Sequence, residues 1–212
     1  MISKLQYISQ GSTPDEHLKN IQNACTSGAD WVQLRLKNLD EKIILETAQK
    51  AREITGHFQT RLIINDYYKI AKAVKADGVH LGKNDASTLE ARKHLASWQI
   101  IGGTANTLQD CEKLISEEVN YIGLGPFRFT KTKEKLSPVL GLQGYQSILE
   151  LLNTKTPVIA IGGITINDVP ELLKTGVYGV AVSGVITKNF NNISAFNKVL
   201  GGPSTREQVY KL

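Results

Sequence analysis

The chain predicts a single (β/α)8 barrel, and three observations carry that prediction: eight short apolar runs, a spacing of about 20 to 30 residues between them, and amphipathic patterns in the gaps. The runs, in order, are LQYIS from Leu5, WVQLRLK from Trp31, RLIIND from Arg61, DGVHLG from Asp77, QIIGGT from Gln99, NYIGLG from Asn120, PVIAIGG from Pro157 and YGVAVSG from Tyr178. Helical patterning fills the gaps, most clearly over Thr13 to Ala29, Asp40 to Ile54, Ser87 to Ala96 and Asn167 to Lys174. Thr13 followed by Pro14 sets an N-cap and then proline at the first helical position, and Asp40 and Ser87 open their helices as caps of the same kind. Strand and helix in alternation require right-handed crossovers and a parallel sheet, because parallel neighbours cannot be joined by a tight hairpin. The alternative is a doubly wound open sheet, which usually has fewer strands and a glycine-rich fingerprint after the first one; here that position reads QGSTPD.

The 212 residues suffice for one sizeable core, and 41% hydrophobic with 21% charged residues is ordinary for a soluble domain. Residues 1–200 are expected to form the barrel, and 201–212 a short C-terminal tail. MISKLQYIS has no long apolar core of a signal peptide, and no run of about 18 apolar residues occurs, so neither export nor membrane insertion is expected. A cytoplasmic protein follows. Lys and Arg outnumber Asp and Glu by 25 to 20, a net charge of +5 that suits anionic ligands; the charges are dispersed without a basic block, which argues against nucleic acid binding. Cys25 and Cys111 have neither metal-ligand nor redox spacing and read as core residues. The pattern leaves a homo-oligomer open.

In such barrels the chemistry sits at the C-terminal ends of strands. In VQLRLKN, Gln33, Arg35 and Lys37 alternate with Val32, Leu34 and Leu36, and since helices cover the outer face, the polar stripe is expected inside, where unpaired cations are costly. An anionic ligand or carboxylates must compensate them. The next strand ends supply Asn65, Asp66 and Asp85; neighbouring strands lie about 4.8 Å apart, so both acids can share one ion, and hard oxygen ligands suit Mg2+ bound jointly with substrate phosphates. The competing role for either Asp is that of a helix N-cap. His80, within a strand, is expected to be a hydrogen-bonded core histidine. Gly162-Gly163 and Ser183-Gly184 end successive strands and fit a phosphate site, since glycine lets backbone N–H groups approach a ligand. A segment without periodicity lies within Gly123 to Gln143, and its Thr130, Thr132 and Lys133 are placed to close over both anion sites.

Taken in order, QLRLK, NDY, GVHLGKND, GPFRFTKTK, AIGGI and VSGVI resemble the thiamine phosphate synthase family over about Leu5 to Phe196. The resemblance implies a transferase that joins an aminopyrimidine methyl pyrophosphate to a thiazole phosphate with Mg2+ and releases pyrophosphate. It assigns Gln33, Arg35, Lys37 and Asn65 to the pyrimidine pyrophosphate, and Asp66 and Asp85 to the metal. It gives Lys133 to the pyrophosphate, and Thr130, Thr132, Gly163, Ser183 and Gly184 to the thiazole phosphate. Arg35, Lys37 and Lys133 would stabilise the departing pyrophosphate while the thiazole nitrogen captures the pyrimidine-methyl cation, a step that needs no general base. Where the family commonly shows a Ser-Thr-His type sequence, this chain has Thr104-Ala105-Asn106, which keeps a hydroxyl and loses a histidine. Two other readings share the fold: a thiazole tautomerase, and a noncatalytic barrel that binds a phosphorylated metabolite. The acid pair and Lys133 would have no task in the second.

Overall fold

Eight parallel strands pair in sequence order and close on themselves, the first against the last through Leu5–Val180, Gln6–Ala181 and Tyr7–Val182. The computed structural model describes residues 2–129 and 138–201. Its strands are β1 (Leu5–Ile8), β2 (Trp31–Leu34), β3 (Arg61–Asn65), β4 (Gly78–Leu81), β5 (Ile100–Ala105), β6 (Tyr121–Leu124), β7 (Val158–Ile161) and β8 (Gly179–Val182). The helices are α1 (Pro14–Thr26), α2 (Glu41–His57), α3 (Tyr68–Ala73), α4 (Thr88–His94), α5 (Leu108–Ser116), α6 (Gly141–Leu151), α7 (Val169–Lys174), α8 (Gly184–Lys188) and α9 (Asn192–Val199). The expected barrel is present. Four helix boundaries move by a few residues: α1 stops at Thr26, α2 runs on to His57, α4 covers only Thr88–His94, and a 3-10 turn over Ile166–Asp168 precedes α7.

Local chemistry explains the starts. The Thr13 hydroxyl accepts from Glu16 N at 3.2 Å with Pro14 behind it, Asp40 accepts from Lys42 N at 2.8 Å, and Ser87 accepts from Glu90 N at 3.1 Å. Each satisfies an amide that the helix itself leaves unpaired. Thr107 and Asp110 form a reciprocal capping box at α5.

Because strand side chains alternate, the barrel has two cores. Val32, Leu34, Leu62, Ile64 and Val79 point outward and pack with the helices. Ile8, Trp31, Ile63, Tyr121, Ile159 and Ala181 fill the lumen. There the Trp31 and Tyr121 rings meet edge to face, with centroids 5.0 Å apart at 80°. Gly102 makes this arrangement feasible, since a Cβ there would run into the Tyr121 ring. This plug forms the floor of the upper half of the lumen, where Gln33, Asn65, His80 and Thr104 sit at the inward positions next above it.

Strand β2 ends at Leu34, so Arg35 and Lys37 lie in the following loop rather than on a continued strand stripe. Gln33 is buried inside as expected, Arg35 is half-buried at the mouth, and Lys37 is exposed. The two cysteines are free and buried, Cys25 in α1 and Cys111 in α5; burial pushes the Cys111 thiol up to about 12, which leaves it inert. No helix among the described residues is long and apolar enough to cross a membrane. Of the tail, only Gly201 falls within the described residues.

Candidate active site

A cavity of about 400 Å3 opens at the C-terminal ends of the strands. Gln33, Arg35, Lys37, Asn65, Asp66, Asp85, Thr104, Gly163, Ser183 and Gly184 all line it. Every residue singled out from the sequence for substrate or metal therefore faces one cavity, except Thr130, Thr132 and Lys133, which lie outside the described residues.

On one side of the mouth the Asp66 and Asp85 carboxyls come within hydrogen-bonding reach of each other. Burial and the neighbouring Asp85 push the Asp66 carboxyl up to about 6, against the pull of Lys37. Asp85 is held below the ordinary carboxylate range: its burial acts upward, but hydrogen bonds from Asp66 and from Gly82 N, the latter 2.7 Å long, outweigh it. The opposite directions describe one pair sharing a proton. Neither acid is a helix N-cap, the competing role read from the sequence. Ser87 caps α4, Tyr67 precedes α3 without a side-chain cap, and Asp66, with φ of 65°, has Asp85 and Lys37 as its side-chain partners.

The cations stand beside the pair. Lys37 forms an ion pair with Asp66, so this acid has a cationic partner that the sequence did not reveal. The Arg35 backbone is held by Ser9 Oγ at 3.1 Å, and Ser9 is held by His17 Nδ1 at 2.7 Å. Burial holds the Arg35 guanidinium below its ordinary value, and Asp66 and Asp85 offset only part of this. Asn65 contributes a further observation: its buried Nδ2 has no hydrogen-bond partner among the described residues. An orphaned donor in a cavity wall is costly unless a ligand oxygen meets it.

Across the cavity, β7 and β8 present the second cluster. Gly162 and Gly163 take φ of 98° and 69°, and a Cβ on Gly162 would lie 2.7 Å from Pro126 Cβ, so the turn tolerates only glycine. Arg128 locks this turn to the segment after β6: its guanidinium donates to Gly163 O at 2.6 Å and to both Asp168 oxygens at 3.0 and 2.9 Å. The described ends of the long loop also meet, through Leu140 N to Pro126 O at 2.9 Å.

A family model described as thiamine monophosphate synthase matches residues 5–186. The chain belongs to that family. A thiamine-phosphate synthase of Flavobacterium psychrophilum is 48% identical over 206 residues, covering 94% of this chain and 100% of the relative. One from Flavobacterium johnsoniae is 49% identical over 192 residues, covering 89% and 91%. Among solved structures, a thiamine phosphate pyrophosphorylase from Pyrococcus furiosus superposes with a TM-score of 0.78 at 29% identity, covering 93% of this chain and 95% of that one.

For this member of the thiamine monophosphate synthase family, sequence reasoning missed several wall residues. Lys83 pairs with Asp110 at 2.7 Å, Lys188 closes the wall at the end of α8, and Asn106 donates to Gly125 O. Lys83 lies within the GVHLGKND stretch and Asn106 within Thr104-Ala105-Asn106, but neither was given a role there, and Lys188 carried no periodicity or motif signal. Asn106 stands in the Ser-Thr-His type position, where its amide ties β5 to the segment after β6. His80 is the hydrogen-bonded core histidine expected, and it also reaches the cavity through Thr104 Oγ1 at 2.9 Å.

Proposed function

We propose that the chain acts as a thiamine phosphate synthase, coupling 4-amino-2-methyl-5-hydroxymethylpyrimidine diphosphate to 4-methyl-5-(2-hydroxyethyl)thiazole phosphate, with pyrophosphate released and thiamine monophosphate formed. The observation that carries this reading is the pairing of Asp66 with Asp85 beside Arg35, Lys37 and the orphaned Asn65 amide, opposite a glycine turn suited to a second anion. Two crowded carboxyls, one of them pushed up to about 6 by burial and its neighbour, form a site where a divalent cation relieves the repulsion better than a proton does. Two protein oxygen donors and open positions fit Mg2+ held jointly with a diphosphate, and no cluster of three or more acidic, His or Cys ligands occurs among the described residues. Bound there, Mg2+ would supply charge neutralisation to the leaving group.

The remaining work falls to side chains. Asn65 and the Arg35 fork bind diphosphate oxygens and orient the reacting methylene carbon. Arg35 and Lys37, with Lys133 from outside the described residues, stabilise negative charge as the carbon–oxygen bond breaks. The bond electrons leave with pyrophosphate, and the thiazole nitrogen lone pair forms the new carbon–nitrogen bond, yielding the thiazolium. Gly163, Ser183 and Gly184 hold the thiazole phosphate so that its nitrogen faces that carbon, while Gln33 and Thr104 address the pyrimidine. Electrostatics fixed before reaction carry the rate, and no proton transfer is required.

The deciding experiment incubates the protein with both substrates and Mg2+ and identifies the product by mass. Thiamine monophosphate, and its loss in EDTA, are expected. An altered thiazole phosphate with the pyrimidine diphosphate untouched would establish the tautomerase instead.

A further inference from the structure

A chain of buried polar groups crosses the lumen under the cavity. Gln33 Nε2 donates to Gln6 Oε1 at 3.4 Å, and Gln6 Nε2 donates to the Tyr121 hydroxyl at 3.4 Å. Gln33 also hydrogen-bonds Tyr121. The same hydroxyl lies 3.0 Å from His80 Nδ1, and His80 Nε2 lies 2.9 Å from Thr104 Oγ1. Four strands contribute inward residues besides that of β2, and only the two ends of the chain, with His80, reach the cavity.

For a neutral His80, with the two amides oriented as above, counting hydrogens gives this chain one direction. A phenol has one proton to give and two lone pairs to receive with. With both amides donating to it, the Tyr121 proton goes to His80 Nδ1. His80 then carries its proton on Nε2 and donates to Thr104, whose own proton is free to point into the cavity. The reversed order would set two carbonyl oxygens and an imidazole N–H against a phenol with a single proton. One buried acceptor would be left unmet, which is the costly outcome. Burial also pushes the Tyr121 phenol up, against the pull of Gln6 and Gln33, so it stays protonated.

We infer that Gln6, Tyr121 and His80 are positioning residues that fix the polarity of the two cavity ends: a hydrogen-bond acceptor at Gln33 Oε1 and a donor at the Thr104 hydroxyl. This rests on the coupling reaction proposed above and states how its pyrimidine is chosen. An aminopyrimidine offers an N–H donor for the first and a ring nitrogen acceptor for the second. A 4-oxo pyrimidine of the same shape turns a carbonyl toward Gln33 Oε1, and sites that require a hydrogen bond reject such analogues strongly.

The test is Tyr121→Phe, which keeps the ring against Trp31 and removes only the relay hydroxyl. Calorimetry would compare the diphosphates of the 4-amino pyrimidine and its 4-oxo analogue. In the variant Gln33 can turn its amide, so the preference for the amino compound should fall by roughly tenfold, the scale of one hydrogen bond, while thiazole phosphate affinity stays within about twofold. Thr104→Val should weaken both pyrimidine diphosphates while leaving thiazole phosphate affinity unchanged, and Thr104→Ser should restore them. These two guard against a Tyr121 variant that folds poorly. An unchanged preference, or equal losses for both substrates, overturns the relay. Because binding is read without turnover, a wild type that failed to make product would overturn the coupling reaction and not this inference.

Discussion

Asp66 combines two costs at one position: a left-handed backbone and a carboxylate crowded by another. Strain of this kind survives only where surrounding structure enforces it, and it collects at functional sites. The two costs can be separated by substitution. Asn tolerates φ near 60° as Asp does, so Asp66→Asn should fold with near wild-type stability in urea yet lose Mg2+ binding by calorimetry and at least roughly 100-fold in turnover. Asp66→Ala should show the same functional loss and a further destabilisation of about 1 kcal/mol from the enforced conformation. Full activity for the Asn variant would remove Asp66 from the proposed metal site. That Asp66 and Asp85 would meet was legible in the sequence, since both follow the ends of adjacent strands. Their pairing with Lys37 was not, because Lys37 lies beyond the end of β2, where side-chain alternation no longer predicts direction.

Between elements, the Arg128–Asp168 pair joins the segment after β6 to the turn that precedes α7. Asp168 has a second duty, accepting from Thr165 N at 2.8 Å and Thr165 Oγ1 at 2.7 Å. Arg128 first, aided by Thr165 against the effect of burial, holds the Asp168 carboxyl down to about 2. A carboxyl depressed from its usual value near 3.9 stabilises the fold above that value and loses this contribution as pH falls toward about 2. Asp168→Asn keeps an acceptor for Thr165 and removes the charge. Its stability deficit relative to wild type should be constant from pH 5 to 7 by the linkage argument and shrink between roughly pH 4 and pH 2, as followed by denaturant midpoints. A deficit independent of pH would mean that the ion pair contributes nothing beyond the hydrogen bonds. Periodicity located β6 and the strand before the glycine turn, yet it gave no sign of this clamp: Arg128 and Asp168 are 40 residues apart, the first on irregular backbone and the second at the end of a 3-10 turn.

At the scale of the molecule, closure is what makes the site one site. The acids follow β3 and β4, the glycine turns follow β7 and β8, and β1 lies between β8 and β2. Lys4 Nζ to Leu200 O at 3.0 Å and Tyr178 OH to Ile2 O at 2.8 Å tie the two ends of the described chain across this seam. Removing residues 1–8 would leave open edges on β2 and β8, so the truncated chain should lose its cooperative unfolding by circular dichroism and associate through the exposed strands. A monomer with a normal transition would show that β1 is dispensable. Eight apolar runs at regular intervals made the barrel legible from the sequence. The lumen's polar chain was not, because Gln6, Tyr121 and His80 meet only through the registers of strands far apart in sequence, and register leaves no local pattern.

The lumen plug has an optical consequence. The chain has two tryptophans: Trp31 is fully buried with an indole N–H that meets no partner among the described residues, whereas Trp98 is 59% exposed in the turn before β5. The first should therefore emit at short wavelength and resist acrylamide, and the second should emit at long wavelength and be quenched, as a fluorescence titration would check. Trp31 leans on the ring whose hydroxyl meets His80, so a shift of the blue component on adding the pyrimidine diphosphate is the expected report of binding above this floor, without a label and without disturbing the mouth.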